Sequence, residues 1–319
     1  MQHLLAVQAQ DARGARLAIR ARTTGLTVAD LDTALTVERS LVITWLNRGT
    51  LHLVRAEDYW WLQALTTPQL LVGNARRLRQ EGVDASDAKR GVLVVERALA
   101  EGPLTRAQLR ERVAAAGIRV QGQALVHILM LASLRGLIVR GPMVGAEQAF
   151  VLVRDWLGAA PAAPPQLDRR QALAELVRRY LVGHGPASDR DLARWAGLPL
   201  GEVRCGIAAV SHLLHDREDG LLELRSRRVS EPLPPRLLGA FDPLLLGWVS
   251  REPVVGAHAG IVTSNGIFRP FVLVGGRAVG LWSLVQGRVR LAPFDQLSPS
   301  VAASLDADAV DVRRFLQLR

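Results

Sequence analysis

The strongest constraint on the fold is a pattern that occurs twice. The segment RGVLVVERALAEGPLTRAQLRERVAAAGI (90–118) reads as a helix, a break at Gly102-Pro103, and a second helix capped by Thr105 that stops near Gly117. The segment RRQALAELVRRYLVGHGPASDRDLARWAGL (169–198) repeats it, with Gly185-Pro186 at the break, Ser188 as the cap and Gly197 at the stop. Both copies run on into a third helical segment. In the earlier copy, QGQALVHILMLASLRGLIVRGPMVGAEQAFVLV is helical to about Arg135 and then gives two β-rich runs around GPMVG. Three helices followed by a hairpin make a winged helix. A fainter copy lies upstream, where TVADLDTALTVERSLVITWLNRGTLHLV reads as a helix, a recognition-like helix and a strand, with the opening helix nearly absent. Recurrence at one layout argues for a repeat rather than for unrelated helix hairpins.

Two punctuation signals complete the organisation. GAAPAAPPQL (158–167) is a Pro/Ala linker, extended and without a core of its own. After SEPLPP the period changes from helical to alternating. Turn signals at Asn265-Gly266, Gly275-Gly276 and Gln286-Gly287 are spaced as in an antiparallel meander. The expected architecture is α+β, with tandem winged-helix units and a C-terminal antiparallel β domain. Its boundaries fall at 1–90 for a first unit that is short at its N-terminus, 91–160 for the second, 161–228 for the linker and third, and 229–319 for the β domain.

Charge points to a partner. The chain of 319 residues carries a formal net charge of +10 and contains a single lysine, Lys89, so the positive charge is almost entirely arginine. An excess of this kind attracts polyanions by releasing their counterions, and nucleic acid leads the list. Cys205 is the only cysteine, which rules out an internal disulfide and a cysteine-based zinc site. The seven histidines show no HxH or HExxH spacing, and no Walker-type loop occurs, so neither a metal nor a nucleotide cofactor is expected. The start MQHLLAVQAQDARGAR has no basic segment followed by a long apolar run, and no stretch approaches the ~18 apolar residues of a membrane span. A cytoplasmic protein associated with the nucleoid is the expectation.

The pieces LLAVQAQD, TWLNRGTLHLV, FDPLLLG and GIFRPFVLVGGRAVGLW, in that order around the repeated units, resemble the AlkZ/YcaQ-type DNA glycosylases. These are bacterial winged-helix enzymes that excise alkylated bases and unhook interstrand crosslinks. The resemblance covers nearly the whole chain. It implies an active-site motif of glutamine, an aliphatic residue, then glutamine or aspartate, which Gln8-Ala9-Gln10 matches in its glutamine form. It also implies a helix ahead of the motif, whereas only MQHLLAV precedes it here. That difference leaves the first unit short of a packing element and points to a start further upstream.

Neutral amides suffice if the leaving group needs little help. A purine alkylated at a ring nitrogen is already cationic, so its glycosidic bond breaks toward an oxocarbenium-like sugar without prior protonation of the base. The site must then place a water and stabilise positive charge, and amide oxygens do both weakly. Residues two apart point the same way on an extended segment but about 200° apart on a helix. A helical register would instead put Asp11 on the face of Gln8, where its carboxylate could act as the base. The implied reaction is hydrolysis at cationic N7-alkylguanine or N3-alkyladenine in double-stranded DNA, by a monomer.

Further candidates lie elsewhere. In WLNRGTLHL, Gly49 looks like a helix stop leading into a strand, with Arg48 and His52 placed to face a phosphate or the lesion; the alternative for His52 is a satisfied histidine in a half-buried strand. The turn TSNGIFRP offers Asn265 at its tip, Ile267 and Phe268 as an apolar wedge and Arg269 as a cation, the parts that minor-groove binders use. Asp242, before Pro243, is a supporting acid or a helix cap. The competing reading is a winged-helix DNA-binding regulator with no chemistry, though such proteins usually read paired half-sites as dimers.

Overall fold

The computed structural model describes residues 1–144, 147–158, 168–215, 217–226 and 233–318, and the Pro/Ala linker falls almost wholly outside them. The chain divides into two compact units. The central unit comprises Thr33–Leu176 and Ala196–Ala209; the composite unit comprises Met1–Asp32, Val177–Trp195 and Val210–Arg319.

In the central unit, the upstream segment forms a hairpin in place of the expected recognition-like helix. Strands Leu41–Leu46 and Thr50–Arg55 pair from Leu41↔Arg55 to Leu46↔Thr50. Val42, Ile43 and Thr44 are β-branched in succession, which favours the extended backbone. Every residue of Leu41–Leu46 is buried, and a short continuous apolar run of that kind looks alike for a buried helix and a central strand. The connecting turn holds Asn47 at φ +51° and Gly49 at φ +80°, so Gly49 closes a hairpin instead of stopping a helix. Within this unit the antiparallel order is Thr50–Arg55, Leu41–Leu46, Ile138–Val144, Glu147–Leu152.

Helices Ala85–Leu99, Arg106–Ala115 and Ala124–Leu134 precede the second of these hairpins. Thr105 caps Arg106–Ala115 in a reciprocal box with Gln108, and Gly117 follows the helix at φ +74°. The core joins Val95, Leu125 and Ile128 to Trp45 and Phe150. Helix Ala124–Leu134 is enclosed. Leu70–Gln80 and Ala85–Leu99 pack on it, and Asn74 ties it down by donating to the His127 carbonyl at 3.0 Å and meeting His127 Nδ1 at 2.8 Å. Its own face therefore has little surface left for a DNA groove.

The composite unit carries the meander. Strands Arg288–Pro293, Arg277–Val285, Phe271–Val274 and Arg236–Leu238 form one antiparallel sheet in that order. The turns fall at Gly275-Gly276 and Gln286-Gly287, where left-handed φ values occur. A helix absent from the sequence-based expectation, Pro299–Phe315, comes after the sheet; Ser298 caps it and its Leu305, Val312 and Phe315 are buried. Ser188 and Asp191 bond each other reciprocally at the start of Asp189–Ala196, at 2.8 and 3.1 Å.

A ring cluster lies in this unit around the end of helix Arg169–His184. His184 stacks on Tyr180 at 4.8 Å and meets Trp195 and Trp248 at 5.5 Å each. Burial pushes the His184 imidazole down to about 4; the Tyr180 backbone opposes that and Arg22 adds to it. The unfolded imidazole takes its proton near pH 6.5 while the folded one stays neutral, so stability is intact above pH 6.5 and falls as pH drops toward 4. The full loss is roughly 3 kcal/mol. Urea midpoints measured from pH 7.5 to 4.5 should fall steeply below 6.5, and His184→Phe, which takes up no proton, should flatten that fall. Equal slopes in the two proteins would clear His184 as the source.

Candidate active site

The Gln-Ala-Gln stretch is not helical. Strand Ala6–Gln8 ends at Gln8, and residues 10–11 bend before helix Ala12–Arg20 begins. Asp11, at φ −105° and ψ 113°, is the N-cap of that helix and accepts the Gly14 amide proton on its carboxylate. The register that would set Asp11 and Gln8 on one helical face does not form, and one oxygen of the Asp11 carboxylate is held by the cap. Gln8 is buried, 8% exposed, whereas Gln10 is open to solvent. One amide is therefore fixed and the other accessible.

Helix Ala12–Arg20 is anchored at both ends. A Cβ on Gly14 would sit 2.2 Å from the Ala240 carbonyl oxygen, and one on Gly239 would sit 2.9 Å from Leu17 Cβ. The first turn of the helix thus lies directly on the backbone of 239–240, an approach only glycine permits. Gly14→Ala must push that backbone away, at a cost of about 1–3 kcal/mol. A lowered melting temperature is the expected readout; an unchanged one would show that the contact yields freely.

At the far end, Arg20 and Asp308 are both buried and joined by paired hydrogen bonds of 2.9 and 3.0 Å. Arg20 also donates to the Leu237 carbonyl at 2.8 Å, and Asp308 accepts from the Leu237 amide at 2.7 Å and from Arg236 at 3.0 Å. Arg22 grips Asp242 in a second bidentate pair at 2.6 and 2.9 Å and donates to the Ala18 carbonyl. Burial works against the Arg22 charge, but Asp242 outweighs it and holds the guanidinium above its ordinary pKa. Asp242 is fully buried and accepts from the Leu244 amide at 2.9 Å, so it also caps Pro243–Leu246. Among the described residues its side chain bonds Arg22 and the Leu244 amide, and neither glutamine of the motif.

The turn expected at Asn265-Gly266 forms over 262–268, but only one of the two expected wedge residues, Ile267, is exposed. Val262 bridges Phe268, the Gly266 amide closes on the Thr263 carbonyl at 2.9 Å, and Gly266 takes φ +74°. Asn265 and Arg269 are exposed, and so is Ile267. Phe268 is not available, being packed against Phe241 at 5.4 Å with the Arg251 guanidinium 4.9 Å over its ring. Its alternation with Ile267 sends it inward.

In the central unit, Arg48 is half-buried in the hairpin turn and His52 is 2% exposed on the strand behind it. His52 Nδ1 lies 2.9 Å from the Thr50 carbonyl. Burial, reinforced by Arg48, pushes the His52 pKa down to about 3, so the ring offers no positive charge to a phosphate. Gly14, Arg20, Arg22 and Asp308 carry no signal in the sequence; 288 residues separate Arg20 from Asp308, and no local spacing marks such a pair. Among the described residues, no three His, Cys, Asp or Glu side chains gather as a metal site, and no helix is long and apolar enough to cross a membrane.

Three comparisons bear on this arrangement. The family described as "DNA glycosylase AlkZ-like" matches residues 1–315. The chain is 27% identical over 299 residues to an "Interstrand DNA cross-link repair glycosylase" of Streptomyces sahachiroi, covering 86% of this chain and 79% of that protein. Its fold is similar to that of the solved Streptomyces sahachiroi DNA glycosylase AlkZ, with a TM-score of 0.79, 24% identity, and coverage of 99% and 90% of the two chains.

Proposed function

We propose, from the premise that this chain belongs to the AlkZ-like DNA glycosylase family and so hydrolyses N-glycosyl bonds in DNA, that its substrates are cationic N-alkylated purines. N7-alkylguanine and N3-alkyladenine fit a site built from neutral amides. Gln8 and Gln10 hold the hydrolytic water at the sugar, and their carbonyl oxygens face the positive charge that develops there. The observation that carries this reading is that the Gln8-Ala9-Gln10 stretch is not helical, the strand ending at Gln8, with Asp11 taken up as the cap of the next helix. Asp242 supports the motif through Arg22. The cross-link repair for which the Streptomyces relative is named extends to this chain by the same chemistry, since an alkylated purine in a cross-link is also a cationic leaving group.

Arg48, Asn265 and Arg269 are the proposed duplex contacts, alongside the wider arginine surface of a monomer at the nucleoid. The proposed winged-helix units over 91–160 and 161–228 then act as scaffold, with the β domain from 229 onward. The deciding experiment incubates the protein with a duplex bearing one N7-methylguanine, followed by alkali and strand sizing. Cleavage at the lesion is expected. Duplex retention with no cleavage would favour the second reading, a winged-helix DNA-binding protein without chemistry.

Binding itself should be strongly dependent on salt and weakly dependent on sequence, because arginine suits phosphate contact. Between 50 and 200 mM salt the affinity should fall by about 10³-fold or more if six or more phosphates are engaged. Titrations that superimpose at the two concentrations would remove the electrostatic argument.

A further inference from the structure

Successive strand residues face opposite sides of a sheet, so Thr44, Leu46, Thr50 and His52 share one face of the first hairpin, while Trp45 and Leu51 lie on the other with the apolar core. Thr44 stands directly opposite His52 in the register, a position that brings the two Cβ atoms within roughly 4.5–5.5 Å. Thr44 is 1% exposed and Asn47, in the adjoining turn, 0%. Among the described residues, Thr44 Oγ1, Thr50 Oγ1 and both polar side-chain atoms of Asn47 are buried without a hydrogen-bond partner. A buried polar atom left bare costs about 1–3 kcal/mol. Several on one hairpin, beside a buried imidazole, call for polar partners.

The lining selects the occupant. The Thr50 carbonyl only accepts, so His52 Nδ1 carries the proton toward it and Nε2 is left as a lone-pair acceptor. An anion has no charge to meet on that neutral ring. A cation would stand near Arg48, whose charge already acts on His52. The remaining class is a small neutral molecule that both donates and accepts. We infer that this face of the hairpin holds ordered water, which donates to His52 Nε2 and bonds Thr44 Oγ1, with Thr50 and Asn47 serving the same hydration. His52 is then a water ligand inside the hairpin that carries Arg48. The inference stands whether or not the chain releases alkylated bases.

Thr44→Val keeps the shape and removes the hydroxyl. A filled site predicts that the variant melts several degrees lower and loses the ordered oxygen from crystals, with Thr44→Ser restoring both. An empty site predicts the opposite, since the valine removes an unsatisfied hydroxyl; an unchanged or higher melting temperature overturns the inference. Crystals of the unmodified protein test it even if Thr44→Val does not fold. An ordered oxygen should lie about 2.7–3.2 Å from both Thr44 Oγ1 and His52 Nε2, and well-resolved density without one rejects the water.

Discussion

Gln10→Ala should lower the single-turnover rate of base release from an N7-methylguanine duplex by about 10²- to 10³-fold, the scale for removing one preorganised electrostatic group. Duplex affinity should barely move, because a contact to the water and the forming sugar cation acts mainly in the transition state. Gln8→Ala should cost a similar factor together with some stability, since Gln8 is buried. Asp11→Asn is the control. Asparagine caps a helix about as well as aspartate, so the Gly14 bond survives the change and the rate should stay within a few-fold of the parent. Loss of release in Asp11→Asn with retention in Gln10→Ala would reverse these roles and place a carboxylate base at the centre.

Asp308→Ala should be the most destabilising single change in the composite unit, at about 3–5 kcal/mol. It leaves Arg20 buried without its bidentate partner and strips acceptors from Arg236 and the Leu237 amide. The half-exposed Asp311, 3.1 Å from Arg20, offers only partial relief. Replacing both members with apolar residues should recover much of the loss, because the penalty comes from the stranded charge more than from the missing attraction. Urea denaturation of the two single variants and the double one measures this. Additive losses in the double variant would contradict the pairing.

Features written in local chemistry are legible in the sequence. Thr105 and Ser188 begin helices because their hydroxyls meet a backbone amide three residues on, and Gly275, Gly276 and Gly287 mark the sheet turns because glycine takes left-handed φ without steric cost. The hairpin at Leu41–Leu46 is hidden because burial on both faces erases the alternation that distinguishes strand from helix. Phe268 looks exposed in the sequence because the pattern of a turn does not say which side packs. The motif itself is legible through family resemblance, whereas its supports are not. Gly14, Arg20, Arg22 and Asp242 matter through partners more than 200 positions away, which no window along the chain reports.

That separation bears on how the enzyme comes into being. The helix following the glutamines leaves the ribosome well before the carboxylate that neutralises Arg20, which is made 288 residues later. At ~5–20 residues per second the nascent segment waits tens of seconds for it. During that interval an unpaired guanidinium bars the helix from its buried seat. Competence for chemistry should therefore arrive only once Asp308 has been made, and a chain stopped short of it would meet DNA with its arginines but without an assembled motif.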